Sequence, residues 1–595
     1  MEKTRMVNLT IDGKPVSVPD GTSIMNAAEK IGVKVPRLCY HPRLSIEGAC
    51  RVCVVEVEGM RSLVASCAYP ATEGMNVKTI TPEIREIRRD IVELLIDNHP
   101  MDCQCCERDG NCELQDLAYT TGVRERYYKG ERKRYEIDDS FIAVTRIPEK
   151  CIMCHRCVRI CGEVQGIHTL GYTGRGFKTV VTPAYNVPFE ESICSACGQC
   201  INVCPTAAFL EKDAVHDIMK ALADPDKHVV VQFAPSVRAA IGEGFGIKPG
   251  TPMQGKTVAA LKMIGFDAVF DTEVGADVNI MEEGMEFVER VKNGGPLPLI
   301  TSCSSAWMKF AEHFYADLLP YISTTKSPMS MVGSLAKSYY AEKEGIDPNN
   351  IYSAGAMCCT AKKFEASRPE YWLNDHTMPV VDRVMTTREL VWLIKSNGID
   401  FMNLPDEEFD DPLGYSTGGG SIFGWTGGLA ESVLRSVYYF LTGETLTDIE
   451  FEDLRTFKGV KRATIPIAGR DYNIVVAHGL ANAHEVLQAV RNGTEKIDFL
   501  EIMGCPGGCI GGGGQPYARA TGSIPLDVDL LKKRAQALRT EDRSKTIRRS
   551  YENPWVQRLY REYLGEPLSE KAHHLLHATY VPREPVGIFS KEARP

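Results

Sequence analysis

The chain has 595 residues, 44 % of them hydrophobic and 25 % charged, which is long enough for several domains and ordinary for a globular protein. Its 78 acidic against 68 basic side chains leave a net charge of −10, which argues against a nucleic-acid-binding surface, and no apolar run reaches bilayer-spanning length. Residues 1–8 hold neither an apolar export segment nor a twin arginine, so the expected compartment is the cytoplasm.

Sixteen of the 21 cysteines precede residue 205, in ligand-spaced groups. In a reducing compartment such groups are expected to be reduced and metal-bearing rather than disulfide-bonded. In chain order, residues 6–11 alternate apolar and polar, Asp12-Gly13 gives a two-residue hairpin signal, and residues 15–18 return. Thr22 or Ser23 is placed to cap a helix starting near Ile24. Cys39, Cys50, Cys53 and Cys67 follow, spaced C-x10-C-x2-C-x13-C. A helix is expected over 81–98, with Thr81 as cap and Pro82 in its first turn. It delivers His99, Cys103, Cys106 and Cys112, spaced H-x3-C-x2-C-x5-C, with Cys105 left over. Residues 124–134 are basic but interrupted by acids, and read as a solvated linker.

Cys151, Cys154, Cys157 and Cys161 repeat the spacing of Cys194, Cys197, Cys200 and Cys204, C-x2-C-x2-C-x3-C, and Pro205 follows the second run. Three thiolates on one tight loop cap three corners of an iron–sulfur cube, and the last cysteine of the other run takes the fourth. One [4Fe–4S] cluster is therefore expected on Cys151, Cys154, Cys157 and Cys204, and another on Cys194, Cys197, Cys200 and Cys161. Zinc usually takes two pairs of ligands, not two runs of four. A line of such centres is a conduit for electrons.

From about residue 211 the cysteines thin out and strand and helix patterns alternate. Strands are expected at 228–235 and 268–271, a helix over 256–264 and a strand end at 297–302, an α/β layering with sites at strand C-termini. Five cysteines remain, in three pieces that each follow an apolar run: Thr301-Ser302-Cys303-Ser304-Ser305-Ala306-Trp307; Met357-Cys358-Cys359-Thr360-Ala361-Lys362-Lys363-Phe364-Glu365; and Glu501-Ile502-Met503-Gly504-Cys505-Pro506-Gly507-Gly508-Cys509. The glycine-rich 415–424 lacks a strand–G-x-G-x-x-G–helix frame and reads as a loop beside the site.

These pieces resemble the three signatures of the iron-only, or [FeFe], hydrogenases, T-S-C-C-P-x-W, M-P-C-x-x-K-x-x-E and E-x-M-x-C-x-x-G-C-x-x-G. The resemblance covers nearly the whole chain, including His573-His574-Leu575-Leu576-His577. It implies four parts: a [2Fe–2S] β-grasp ferredoxin domain at 1–80 on Cys39, Cys50, Cys53 and Cys67; a Cys3His [4Fe–4S] domain at 81–120 on His99, Cys103, Cys106 and Cys112; a two-[4Fe–4S] ferredoxin domain at 140–210; and a large α/β H-cluster domain at 211–595. A structural zinc site is the alternative for the first cysteine group. The resemblance further implies an H-cluster, a [4Fe–4S] cubane joined to a di-iron centre bearing CO and cyanide. Cys359 and Cys505 would ligate the cubane and Cys509 would bridge to the di-iron centre. Lys362 would pair with a cyanide, and Met357 and Met503 would line the pocket. Cys303, Glu283, Ser323 and Glu286 would pass the proton.

Ser304 stands where the family has a cubane-ligating cysteine, Ser305 and Ala306 where it has Pro-Gly, Cys358 where it has Pro, and Met329 where Gln is common. Serine matches a thiolate-built cluster poorly, so Ser304, Cys303 or Cys358 fills the corner, or the di-iron part is altered or absent. Two functions are left open: an NAD(P)-linked or electron-bifurcating hydrogenase, and a hydrogenase-derived electron-transfer scaffold. With no dinucleotide or flavin fold in the chain, the resemblance implies a complex I-like flavoprotein partner carrying FMN and handling NAD(P), a small [2Fe–2S] subunit, and ferredoxin as a further partner.

Overall fold

The computed structural model describes residues 5–128, 130–517 and 526–583, and they form a mixed α/β and α+β multidomain chain. Near the N-terminus, Met6–Ile11 pairs antiparallel with Lys14–Pro19 and parallel with Asn76–Lys78. Val54–Val57 and Val64–Ala65 complete a five-stranded mixed sheet. Asp12 and Gly13 both have positive φ, 49° and 76°, as the centre of a type I′ hairpin requires. Ser23 caps the helix Ile24–Lys30 by accepting the Asn26 amide. The helix buries Ile24, Met25, Ala27 and Ala28 in one core with Val7, Leu9, Ile11, Val16 and Val18. The alternation seen in the sequence is thus the face that grips the helix.

Helix Pro82–Asn98 begins where Thr81 accepts the Ile84 amide and ends on His99. Helix Glu113–Thr121 starts directly after Cys112. Val144–Arg146 then pairs with Phe209–Glu211, closing the ends of the segment that carries both four-cysteine runs. Each run is a loop feeding a short helix, Arg156–Arg159 or Gln199–Val203, and a left-handed residue precedes each helix, His155 (φ 61°) and Gly198 (φ 68°). The spacing repeat is therefore a structural repeat.

Two four-stranded sheets organise the rest. In one, Ala268–Asp271, His228–Phe233, Ile351–Met357 and Arg383–Thr386 are all parallel. In the other, Leu299–Ile300, Phe499–Met503 and Arg470–His478 are parallel, and Val460–Ile467 closes the edge antiparallel. The inner parallel strands are largely buried and apolar, as parallel strands covered on both faces must be, whereas the edge strand Val460–Ile467 is partly exposed. Cys303 follows Leu299–Ile300, Cys358 and Cys359 follow Ile351–Met357, and Cys505 follows Phe499–Met503, so all three pieces leave C-terminal strand ends.

The glycine-rich stretch is not all loop. Gly418–Ile422 is a short helix. A Cβ on Gly420 would lie 2.7 Å from the Glu273 carbonyl oxygen, and one on Gly418 would lie 2.2 Å from Asp542 Oδ1. Close packing overrides the poor helix propensity of glycine here, and the following Phe423 and Gly424 line the cavity described next.

Candidate active site

The cysteines of each spaced group lie near one another. Cys39 lies beside Cys50 and Cys67, and Cys53 lies beside Cys67. The Cys39 amide also points at Cys50 Sγ, 3.4 Å away. Cys157 feels the charge of Cys154, Cys151 and Cys204; Cys200 feels Cys197, Cys194 and Cys161. The last cysteine of each run has crossed to the other group. Burial pushes these thiols up, Cys154 to about 12 and Cys151 to about 11, with neighbouring cysteines adding to the rise. Such packed, buried thiols become stable thiolates only around a cationic centre, so the donor sets fit iron–sulfur clusters.

The histidine group is looser. Cys103 and Cys106 are neighbours, Lys150 lies near Cys106, and Cys112 lies near Cys204 and Arg108. His99 Nδ1 is buried with no partner, and burial pushes the ring down to about 4, so it is a neutral imidazole. That is the ligand form of histidine. Cys105 is exposed.

The groups lie end to end. Arg159 donates to the carbonyls of Cys39 and Cys154, at 2.6 and 3.3 Å. Cys112 neighbours Cys204, Cys157 neighbours Cys200, and Cys505 neighbours Cys197. Gln199 Nε2 donates to Gly511 O at 2.9 Å, Asn202 Nδ2 to Gly512 O at 3.1 Å, and Thr360 Oγ1 to Ala196 O at 2.7 Å, fastening the second run to the cavity wall.

The cavity brings together Cys303, Ser304, Cys358, Cys359, Lys362, Cys505 and Cys509, walled by Met329, Met357, Met503 and Phe423. Cys359, Cys505 and Cys509 lie within one another's electrostatic reach. Ser304 Oγ accepts the Gly504 amide at 3.0 Å, beside Cys505. Cys358 lies beside Cys509 and Ser236. Lys362 Nζ donates to Cys303 O at 3.1 Å and Glu365 Oε2 at 2.8 Å. A lysine has three donors, so one remains for the cavity. Three cysteines, a spare ammonium donor and an apolar wall fit a cubane with an anionic, apolar-jacketed attachment.

On helix Thr272–Asn293, Glu283 and Glu286 share a face. Ser323 Oγ donates to Glu286 Oε2 at 2.8 Å. Both oxygens of Glu283 are buried and without a hydrogen bond, between Cys303 on one side and Ser323 on the other. Burial, with repulsion from Glu286, raises its carboxyl to about 8. Burial also pushes the Cys303 thiol well up, with Glu283 adding to it.

Comparison with known proteins gives the decisive observation. The chain is 48 % identical over 590 residues to NADP-reducing hydrogenase subunit HndD of Solidesulfovibrio fructosivorans, covering 97 % of this chain and 99 % of that one. The chain belongs to the iron-only hydrogenases. It is also 36 % identical over 581 residues to iron hydrogenase 1 of Clostridium pasteurianum, covering 97 % of this chain and all of that one. The solved [FeFe]-hydrogenase HydA1 of Chlamydomonas reinhardtii matches 62 % of this chain and 98 % of its own, with TM-score 0.56 and 38 % identity. Residues 227–513 match the C-terminal domain of the iron-only hydrogenase large subunit, and residues 528–583 match the iron hydrogenase small subunit. Residues 4–82 match a 2Fe-2S iron–sulfur cluster binding domain, which displaces the zinc alternative. Residues 88–126 match the NADH-ubiquinone oxidoreductase-G iron–sulfur binding region and 142–210 the ferredoxin-like domain of NADH-quinone oxidoreductase subunit 3. Full-length similarity to hydrogenases favours the enzyme over the electron-transfer scaffold.

Sequence reasoning about this hydrogenase missed three residues. Ser236 Oγ lines the cavity, fully buried and without a hydrogen bond; its position just after strand His228–Phe233 was the available signal. Glu365 takes Lys362 on one oxygen, with Ser305, and Ser327 and Ser330 on the other. His478 Nδ1 accepts the Gly507 amide at 3.1 Å and so holds the loop between Cys505 and Cys509.

The glycines after Cys509 serve the joint between units. A Cβ on Gly513 would stand 2.2 Å from the Cys197 carbonyl oxygen and 2.7 Å from Gly198 Cα. Gly513→Ala is therefore expected to push the second cysteine run off the cavity wall, costing about 1–3 kcal/mol. A lower melting temperature and slower reduction of the accessory clusters by hydrogen check this. Unchanged values of both would mean the joint tolerates the added methyl.

Proposed function

We propose that this hydrogenase interconverts hydrogen with protons and electrons and exchanges the electrons with NAD(P) through partner subunits. What carries the reading is the end-to-end similarity to a protein described as an NADP-reducing hydrogenase subunit. The partners proposed are a complex I-like flavoprotein and a small [2Fe–2S] subunit, with ferredoxin as a further one; the compartment proposed is the cytoplasm. Among the described residues no helix is long and apolar enough to cross a membrane. The proposed division is 1–80, 81–120, 140–210 and 211–595, holding in turn one [2Fe–2S] cluster, one [4Fe–4S] cluster on His99, Cys103, Cys106 and Cys112, two more on the paired runs, and the H-cluster.

In the cavity, Cys359, Cys505 and Cys509 would hold the cubane with Ser304 at its remaining corner. When bound, the H-cluster supplies the metal on which hydrogen is split or formed, and the accessory clusters supply one-electron steps. The protein supplies the rest. Met329, Met357 and Met503 keep water away. Lys362, steadied by Glu365 and the Cys303 carbonyl, presents one N–H to an anionic ligand. Cys303, a protonated thiol at neutral pH, passes a proton to Glu283. Glu283, neutral below about pH 8, passes one on to Ser323, and Ser323 is already bonded to Glu286.

The test is infrared spectroscopy of the anaerobically matured chain, together with hydrogen uptake. CO and cyanide bands with viologen reduction are expected, and NADP reduction only when the flavoprotein is added. Accessory clusters without those bands would sink the hydrogenase reading for this chain. NADP reduction by the chain alone would remove the flavoprotein partner.

A further inference from the structure

The motif His573-His574-Leu575-Leu576-His577 plays no part in the chemistry above. It spans the end of helix Glu570–Leu576, with His577 as the residue that closes it, and it packs on the outer end of the proposed proton route. An isolated backbone bridge pairs Thr325 with His577, and the Ala578 amide donates to Thr324 O at 2.8 Å. The register of His577 beside Thr324 is therefore fixed by the backbone.

Glu286 is where the described route stops. Arg290 Nη2 donates to its Oε1 at 2.6 Å. Its Oε2 accepts Ser323 Oγ at 2.8 Å and the Thr324 amide at 3.1 Å, and lies 3.5 Å from Thr324 Oγ1. Arginine does not give up its proton in proteins, so Arg290 orients Glu286 and cannot carry a proton onward. The Thr324 hydroxyl can. Its Oγ1 is 2.8 Å from His577 Nδ1.

The other side of that ring is also held. His577 Nε2 is 3.0 Å from Glu282 Oε2, an oxygen that also accepts the Leu568 amide at 2.9 Å, and Tyr560 donates its hydroxyl to Glu282 Oε1. Glu282 is fully buried and acts as an acceptor throughout. Its contact puts the ring hydrogen on Nε2 and leaves Nδ1 as an acceptor facing Thr324. His577 is 8 % exposed, and the exposed His573 lies beside it with ring centroids 4.2 Å apart and planes tilted by 40°.

We propose that Thr324, His577 and His573 form the outer end of the proton route, carrying protons between Glu286 and solvent. This rests on the reading of Cys303, Glu283, Ser323 and Glu286 as that route. On the way out, the Glu286 O–H bond breaks and an O–H bond forms on Thr324 as the threonine's own hydroxyl proton moves to His577 Nδ1. The imidazolium, held against Glu282, then gives a proton to water or to His573. Uptake is the reverse, and no electron moves. Charged and titratable groups facing the two rings are Glu282, Glu286, Glu289 and Lys326, the last with Nζ on the Leu575 carbonyl at 2.9 Å, and Tyr560 joins through Glu282.

The test uses the matured full chain and hydrogen oxidation with an artificial acceptor across the pH range. His577→Ala and Thr324→Val are each expected to lower turnover about 10–100-fold, with iron content and infrared bands unchanged. The solvent isotope effect should rise, because proton exit has become slow. Thr324→Ser, which keeps the hydroxyl, should retain the wild-type rate, and added imidazole should restore His577→Ala. A wild-type rate and pH profile in His577→Ala, while Glu286→Gln loses turnover, overturns the inference. So does a loss in both variants that imidazole does not relieve and that brings no isotope effect, since that is a structural role. If Glu286→Gln itself turns over at full rate, the underlying route fails and this extension falls with it.

Discussion

Glu283→Gln is expected to lower hydrogen turnover by about two to four orders of magnitude, while iron content and infrared bands stay as in the unaltered protein. Glu283 is completely buried, lacks any hydrogen bond to either oxygen, and lies between Cys303 and Ser323. A buried carboxyl is costly to ionise, and glutamine would fill the same space without ever having to carry a charge. What glutamine cannot do is take a proton on one oxygen and release one from the other. The environment keeps the acid form available: burial first, and Glu286 next, raise the group to about 8. Proton reduction is therefore expected to fall above about pH 8, as the acid form is lost.

The same shift sets the pH dependence of stability. In the unfolded chain this glutamate ionises near its ordinary value of 4.5; in the folded chain it stays protonated to about 8. Between those values the folded state holds the extra proton, so stability declines as pH rises. Glu283→Gln removes that decline. Its melting temperature should gain on that of the unaltered protein from about pH 5 to about pH 8 and keep the gain above. Full turnover in the variant would remove Glu283 from the route, and a melting difference independent of pH would contradict its raised carboxyl.

Features set by neighbours in the chain were the ones legible in advance. Thr81 and Pro82 fix where helix Pro82–Asn98 begins, and Asp12-Gly13 fixes a hairpin. The strand over 268–271 appears as Ala268–Asp271 because a short apolar run bounded by polar residues has few other solutions. Features set across the fold were not legible. Gly418–Ile422 needs its glycines because Glu273 and Asp542 crowd it, contacts that come from distant segments. Ser236 matters because the turn after strand His228–Phe233 brings it to the cavity, and nothing in its own sequence says so. Glu365 stood in the quoted motif, yet its part as the anchor of Lys362 depends on Ser305, Ser327 and Ser330 from other segments.

Ser304→Cys is the second large expected effect, and it concerns the corner where this chain departs from its family. Ser304 is the residue before helix Ser305–Phe314, but its hydroxyl does not cap that helix; it accepts the Gly504 amide, one residue from Cys505. To bind iron as a thiolate does, serine would have to become an alkoxide. In a cavity already crowded by Cys359, Cys505 and Cys509, with Glu283 and Glu501 close to Cys303, a further negative oxygen is disfavoured. A cysteine there would supply the missing soft donor. Loss of cubane iron to a chelator is expected to slow by roughly 10–100-fold, and the cubane potential should move downward as a stronger electron donor binds. Cys358 is the competing candidate for the corner, and its surroundings speak against it. Its sulfur lies on Cys509 beside Ser236, whereas Ser304 sits beside Gly504 and Cys505. Cys358→Ala should therefore keep its cubane, read by iron content and paramagnetic resonance. If Cys358→Ala loses the cubane while Ser304→Cys changes nothing, the corner belongs to Cys358. The vicinal pair Cys358-Cys359 would then have taken over the role that the family's adjacent cysteines share between them.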